Sequence, residues 1–209
     1  MEEFLKFDII KASMERTGGK KMFKKLVEKS RSIRIFDESV ELSQEDFLEL
    51  VDLARLSPAG RNQQSFRFYL VKGEDLKKIY AMLHWAGAIP EWKGPKPGER
   101  PGSVILVITD ENTLSPLNAI NMGIGIQSMM LGACEKGFGG CIIRAIDHTE
   151  IKKVLNFKRG VVQLALAIGK PVQKVFLEPW EGTASYWMDE EKNNHVPKHP
   201  IEDYLYEEE

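Results

Sequence analysis

Cysteine is nearly missing from this 209-residue sequence. Cys134 and Cys141 are the only two, seven apart and without further partners, which gives neither a disulfide framework nor a structural zinc site. An excess of either charge is missing too: 29 Lys+Arg stand against 31 Asp+Glu, for a net −2. That balance argues against a generally basic nucleic-acid binder, whose phosphate contacts need clustered cations. With 29% charged and 43% apolar residues the chain is not bulk disorder, and its length supplies one sizeable core. No basic segment followed by an apolar run succeeds Met1-Glu2-Glu3, so no secretory signal is expected and the cytoplasm is the expected compartment. The one long uncharged stretch covers residues 112–134, 23 in all. It holds Asn112, Thr113, Ser115, Pro116, Asn118, Asn121, Gln127 and Ser128, too polar for a lipid-facing span, so it must be buried against protein. Familiar catalytic signatures are missing as well: no Gly-x-Ser-x-Gly elbow, no His-Glu-x-x-His and no phosphate-binding Gly-x-x-x-x-Gly-Lys-Ser/Thr loop.

What is present reads as alternating helices and strands. A short helix ending at Gly18-Gly19 is followed by a second from about Lys20 with Met22, Phe23, Leu26 and Val27 at apolar positions. Residues 20–34 hold seven basic residues against one acid, Glu28, and Lys20, Lys21, Lys24 and Lys25 read as a solvated face. Ser43 caps a further helix, with Asp46 at its third position and Phe47, Leu50, Val51 and Ala54 on its buried side; Ser57-Pro58-Ala59-Gly60 stops it. A strand over residues 66–71 and a helix over 74–83 lead into a loop, residues 84–102, with four prolines, four glycines, Trp85 and Trp92. So long a loop is usually a lid or binding loop. Residues 104–108 and 161–168 are unbroken apolar runs, the pattern of strands covered on both faces. Between them lie a long helix over 116–136, ended by Gly137-Phe138-Gly139-Gly140, a short strand at 141–143 and a helix at 150–155. The expected product is one α+β sandwich followed by a strandless, aromatic-rich tail.

Within the long helix, Gly123-Ile124-Gly125-Ile126-Gln127-Ser128 nearly fits a dinucleotide fingerprint, but glycines inside a helical period leave no backbone amides free for a pyrophosphate. Packing explains them better: Ala119, Gly123, Ser128 and Gly132 let another helix approach closely, at a cost of roughly 1 kcal/mol for each interior glycine. His84, His148, His195 and His199 are scattered and read as surface or structural. Arg31-Ser32-Ile33-Arg34 differs, because two guanidinium groups and a hydroxyl at a helix end suit a phosphate and its sugar. Asn62, Gln63 and Gln64 add amide donors and acceptors just after a sharp turn.

At these residues the sequence resembles the nitroreductase family of flavin-dependent oxidoreductases. Four blocks carry the resemblance: Ser30-Arg31-Ser32-Ile33-Arg34-Ile35-Phe36-Asp37; Ala54-Arg55-Leu56-Ser57-Pro58-Ala59-Gly60-Arg61-Asn62-Gln63-Gln64-Ser65-Phe66; the helix over 125–133 running into Gly137-Phe138-Gly139-Gly140-Cys141; and the strand over 164–169 closing on Lys170-Pro171. The resemblance implies an α/β/α sandwich with a mixed, mostly antiparallel sheet and the long central helix at a homodimer interface. It implies an N-terminal extension over residues 1–20, an FMN-binding domain over 21–170, and a C-terminal extension over 171–209 that embraces the partner. FMN would lie at the interface. Arg31, Ser32 and Arg34 would meet its phosphate, ribityl chain and pyrimidine edge, Lys198 its phosphate, and Ile142, Ile143, Arg144 and Ala145 its ring, with the Arg144 amide near flavin N5. Pro58, Ala59, Gly60 and Asn62 would be a second group of contacts, from the partner chain, and Gln64 would be a further cofactor contact. The sequence departs from the pattern at Ser30, where arginine is common, at Ser65-Phe66, where Pro-Trp is common, and at Arg144, where glycine or glutamate is common.

The implied activity is transfer of hydride from NAD(P)H to the flavin, then to a nitroaromatic, quinone or related small acceptor in the same cleft, in ping-pong order. The cofactor carries the chemistry, which agrees with the absence of a dedicated acid, base or nucleophile. Trp85 and Trp92 either stack on acceptors or clasp the long loop to the body. Reductive dehalogenation, flavin fragmentation and non-catalytic flavin sensing are the alternative functions.

Overall fold

The computed structural model of the chain describes residues 18–110 and 114–206, and the short helix expected ahead of Gly18 lies outside them. The first described helix, α1 (Gly18–Lys29), takes both glycines into its opening turn instead of starting after them. Strand β1 (Phe36–Asp37) follows, then α2 (Gln44–Leu56), capped as its sequence demands by the Ser43 side chain accepting from the Asp46 amide. Next come β2 (Phe66–Lys72), α3 (Gly73–Ile79), β3 (Ser103–Thr109), the long α4 (Pro116–Glu135), β4 (Gly139–Ile143), α5 (His148–Val154) and β5 (Val161–Pro171).

Strand β5 organises the sheet. It pairs antiparallel with β3, with β4 and, at its far end, with β1, while β2 pairs antiparallel with β3 as an outer strand. The two unbroken apolar runs are the two innermost strands, and their alternate residues feed separate cores. Val104, Leu106, Ala165 and Ala167 face a core shared with Ile79 of α3, Ile151 of α5 and Trp85. Ile105, Val107, Leu164, Leu166 and Ile168 face the other, filled by Leu50 of α2 and by Ile126 and Met129 of α4. Both faces are therefore covered by helices, giving the α/β/α sandwich. Gly132 shows why α4 is glycine-rich on one side: a methyl there would run into Leu53, so its bareness lets α2 cross closely. Gly123 has open space around it.

The tail is not strandless. Strands β6 (Val175–Pro179), β7 (Trp187–Met188) and β8 (Asn194–Lys198) form a second sheet in the order β6-β8-β7, with β6 parallel and β7 antiparallel to β8. Two prolines and the shortness of the strands conceal them from a periodicity reading, since pairing between separate tail segments creates them. Among the described residues no helix is long and apolar enough to cross a membrane. The polar side chains of α4 instead hold a loop. Asn121 Oδ1 accepts from the Gly60 amide at 2.8 Å, Ser65 Oγ donates to Asn118 Oδ1 at 3.0 Å, and the Ser57 and Ser128 hydroxyls lie 2.7 Å apart.

Candidate cofactor site

Where α1 gives out, the chain turns along β4. Ser32 bridges to Gly140, and the Ile33 amide donates to the Gly140 carbonyl at 2.8 Å, so the segment Arg31 to Arg34 runs beside the β4 backbone. From the other side β8 approaches, its alternate residues Asn194, Val196 and Lys198 turned the same way. Between them lies a cavity of about 240 Å³, lined by Arg31, Ser32, Arg34, Gly140, Ile142, Tyr186 and the three β8 residues, with Gln127 and Met130 of α4 beneath.

Arg34 is the centre of this arrangement and is only 7% exposed. Its backbone amide donates to Gln173 Oε1 at 3.0 Å, and its guanidinium lies over the Tyr186 ring, 4.7 Å from the centroid. Nη1 reaches the Ser32 carbonyl at 3.4 Å. With the Asn194 amide turned to satisfy both neighbours, its oxygen accepts from Nη1 at 3.0 Å and its nitrogen donates to the Trp187 carbonyl at 3.1 Å. Nε is buried with no hydrogen-bond partner, and among the described residues no carboxylate pairs with the guanidinium. A buried cation is normally paired with a carboxylate, which sets this one apart. Arg31 curls back, donating to the Ser30 and Val27 carbonyls at the end of α1, and Lys198 is exposed; neither is ion-paired among the described residues. Beneath them Cys141 is buried, which pushes its thiol upward while the Arg34 charge pulls the other way.

The remaining expected residues fall into three groups. Ile142 is exposed on the cleft side and Ile143 is in the core, so only the backbone of Ile143 is available to a ligand; Arg144 and Ala145 are exposed beyond the strand end. Pro58, Ala59 and Gln64 line a different depression of about 500 Å³ beside Phe66 and Phe68, with Gly60 and Asn62 exposed on the same turn. Asn62 and Arg61 hold left-handed backbones (φ 52° and 56°), a strained turn kept in place by the α4 hydrogen bonds. Trp85, 8% exposed, packs in the core against Tyr80 and Trp92, at ring separations of 6.3 and 6.4 Å, and neither tryptophan lines the cleft. The sequence reading missed Tyr186, Asn194 and Gln127. Tyr186 stood out only as one more tail aromatic, and nothing local marked Asn194.

The fold is thus an α/β/α sandwich with a cleft of unpaired cations at the edge of its antiparallel sheet. The sequence profile of the Nitroreductase family matches residues 27–170, and the chain belongs to that family. An oxygen-insensitive NADPH nitroreductase of Helicobacter pylori (strain J99) is 36% identical over 183 residues, covering 71% of this chain and 87% of its own. A nitroreductase family protein from Streptococcus pneumoniae TIGR4 superposes with a TM-score of 0.62 at 17% identity, covering 89% of this chain and all of that one. NfnB from Sphigopyxis sp. strain HMH, described as an FMN and NADPH-dependent nitroreductase, superposes with a TM-score of 0.58 at 16% identity, covering 71% of this chain and 88% of that one. At these identities the structural likenesses establish the fold alone.

Proposed function

We propose that this protein is an FMN-dependent oxidoreductase that uses NAD(P)H to reduce small acceptors such as nitroaromatics and quinones. The observation that carries the reading is Arg34, a buried guanidinium with an unpartnered Nε at the wall of a cleft that also holds Arg31, Ser32 and Lys198. Those residues suit a flavin phosphate and ribityl chain. Bound FMN would supply hydride exchange between the nicotinamide and the acceptor. The chain's own part is to neutralise the phosphate, to hold a positive charge at the pyrimidine edge through Arg34, and to wall one side of the ring with Ile142 and the backbone of residues 143–145.

The reading includes a homodimer of bodies spanning residues 21–170, each embraced by residues 171–209 of its partner. It is supported by the apolar side chains left exposed on α4 (Ile120, 61%, and Ile124), on α2 (Leu48, Leu53 and Leu56) and in the tail (Ile201, Tyr204, Leu205 and Tyr206). It also explains why the second group of expected contacts, around Pro58 and Asn62, lies in another depression: it would complete the cleft of the other protomer. Purified protein reconstituted with FMN should show flavin absorption that bleaches anaerobically with NADH or NADPH and returns on adding a quinone. Replacing Arg34 with alanine should weaken FMN binding at least tenfold, since a charge-assisted hydrogen bond contributes about 1.5–3 kcal/mol. Protein that cannot be loaded with FMN, or an Arg34→Ala variant with unchanged affinity, overturns the assignment.

A further inference from the structure

A second cavity, of about 360 Å³, lies beside the cleft at the end of α1, and the proposed FMN contacts leave it unfilled. Ser30, Arg31, Met130 and Gly140 line both cavities, so the two adjoin at the end of α1. Between them Ser30 Oγ donates to the Met130 carbonyl at 3.4 Å. The floor of the second cavity is apolar, built from Ile33, Cys134, Phe138 and Val175. Lys29 and Lys174 stand at its rim without an ion pair among the described residues, and the one acid there, Glu28, is engaged by Lys24 at 3.8 Å.

An apolar pocket bordered by unpaired cations and adjoining the proposed phosphate site has the chemistry of an adenosine phosphate subsite. We propose that this cavity holds the adenosine phosphate half of a dinucleotide, so that the protein binds FAD as well as FMN. Arg31, shared by the two cavities, would lie between the two phosphates, with Lys29 and Lys174 beside the distal one and the base against Phe138 and Val175. The proposal rests on the flavin reading above. The same subsite chemistry would also suit the adenosine phosphate of NADPH as a separate ligand, and the experiment distinguishes the two.

Flavin-free protein is titrated with FMN and with FAD, following flavin fluorescence, and FMN-loaded protein is titrated with 2′,5′-ADP by calorimetry. The expected result is that FAD binds at least as tightly as FMN. Lys29→Glu and Lys174→Glu, or Val175→Trp placed to fill the pocket, should weaken FAD about tenfold while leaving FMN within about twofold. If FAD binds more weakly than FMN but 2′,5′-ADP binds FMN-loaded protein and the same variants abolish that binding, FAD is overturned as the occupant and the subsite belongs to the separate nucleotide. FMN binding accompanied by FAD at least tenfold weaker and no 2′,5′-ADP binding overturns this inference alone. Binding of neither flavin overturns the functional reading with it.

Discussion

Gly140 offers the sharpest test of how the sheet builds the cleft. Its backbone lies outside the left-handed region, so a substitution there meets no conformational penalty; the obstacle is space. A methyl group on Gly140 would lie on top of the Ala167 carbonyl oxygen of β5, 2.8 Å from Ile168 Cδ1 and 3.0 Å from Met130 Cε. The two side chains can turn away, but the carbonyl belongs to the β4–β5 ladder, where Gly140 pairs with Ile168 and Cys141 with Ala167. Relief therefore requires β4 to move outward, carrying the Gly140 carbonyl and with it the Ile33 amide that fixes Ser32 and Arg34. Overpacking of this kind costs about 1–3 kcal/mol. In a chain of this size each kcal/mol is worth about 2–4 °C in Tm. Gly140→Ala should thus melt about 2–12 °C lower and bind FMN more weakly, because the displaced strand takes the phosphate-binding segment with it. Gly87→Ala is the matched control. Gly87 also has an ordinary backbone and nothing within 4 Å, so its melting temperature and FMN affinity should stay near those of the unmodified protein. A Gly140→Ala protein indistinguishable from Gly87→Ala in thermal denaturation and in FMN titration refutes the claim that bare backbone at this position shapes the site.

Gly123 tests the proposed dimer. An added methyl meets nothing within 4 Å in one chain, so helix propensity alone predicts about 1 kcal/mol of stabilisation for Gly123→Ala, whereas a second helix packed on the face of Ile120 and Ile124 would be pushed away. Sedimentation should show weakened self-association, and a more stable protein of unchanged oligomeric state excludes Gly123 from the seam. His195 supplies the pH dependence. Its ring lies between Glu178 on β6 (2.7 Å) and Asp189 after β7 (3.2 Å), stacked on Trp187 and near Phe176, while the next residue back, Asn194, holds Arg34. The hydrogen bond to Glu178 raises the imidazole above its ordinary value, with partial desolvation opposing and Asp189 adding to the rise. The carboxyl of Asp189 stays below the carboxylate range despite desolvation, through its bonds to Asn193 and to His195. Because the folded imidazole value is the higher one, this clasp is fully present below the unfolded value of about 6.5 and is lost as pH rises through the raised value. FMN affinity measured across that window should fall with rising pH, and His195→Gln should flatten the fall; an identical profile in the variant removes His195 from any role in holding β8.

The parts legible in the sequence were those whose cause is local or periodic. The runs at residues 104–108 and 161–168 announced strands covered on both faces, because a strand with one wet face has to alternate. Arg31-Ser32-Ile33-Arg34 drew notice because two guanidinium groups flanking a hydroxyl at a helix end serve a solvated surface poorly. Asn194 and Tyr186 could not be found this way. Each joins Arg34 from about 150 residues further along: Asn194 through the register of β8, and Tyr186 just ahead of β7, in a sheet that neither composition nor period foretold. Trp85 and Trp92 show the same limit from the other side: a loop rich in tryptophan, glycine and proline is compatible with a lid or a clasp, and only packing against Tyr80 and the α3 core selects the clasp.

The uncharged stretch at residues 112–134 shows how an absence can be over-determined. A helix that is apolar on every side could pack between layers yet hold nothing else in position, and a charged one would pay heavily for burial. Helix α4 takes the middle course. Asn118 and Asn121, almost fully buried, spend their amide oxygens on Ser65 and Gly60, and Ser128 meets Ser57, so one helix face fixes the strained turn carrying Pro58, Asn62 and Gln64. Ile120, Gly123 and Ile124 face outward and are as free of charge as the buried side. A solvated helix face would gain solubility from lysine or glutamate at those positions at little cost in stability. Their exclusion from a face that is open in the single chain is what a second copy of the helix would require.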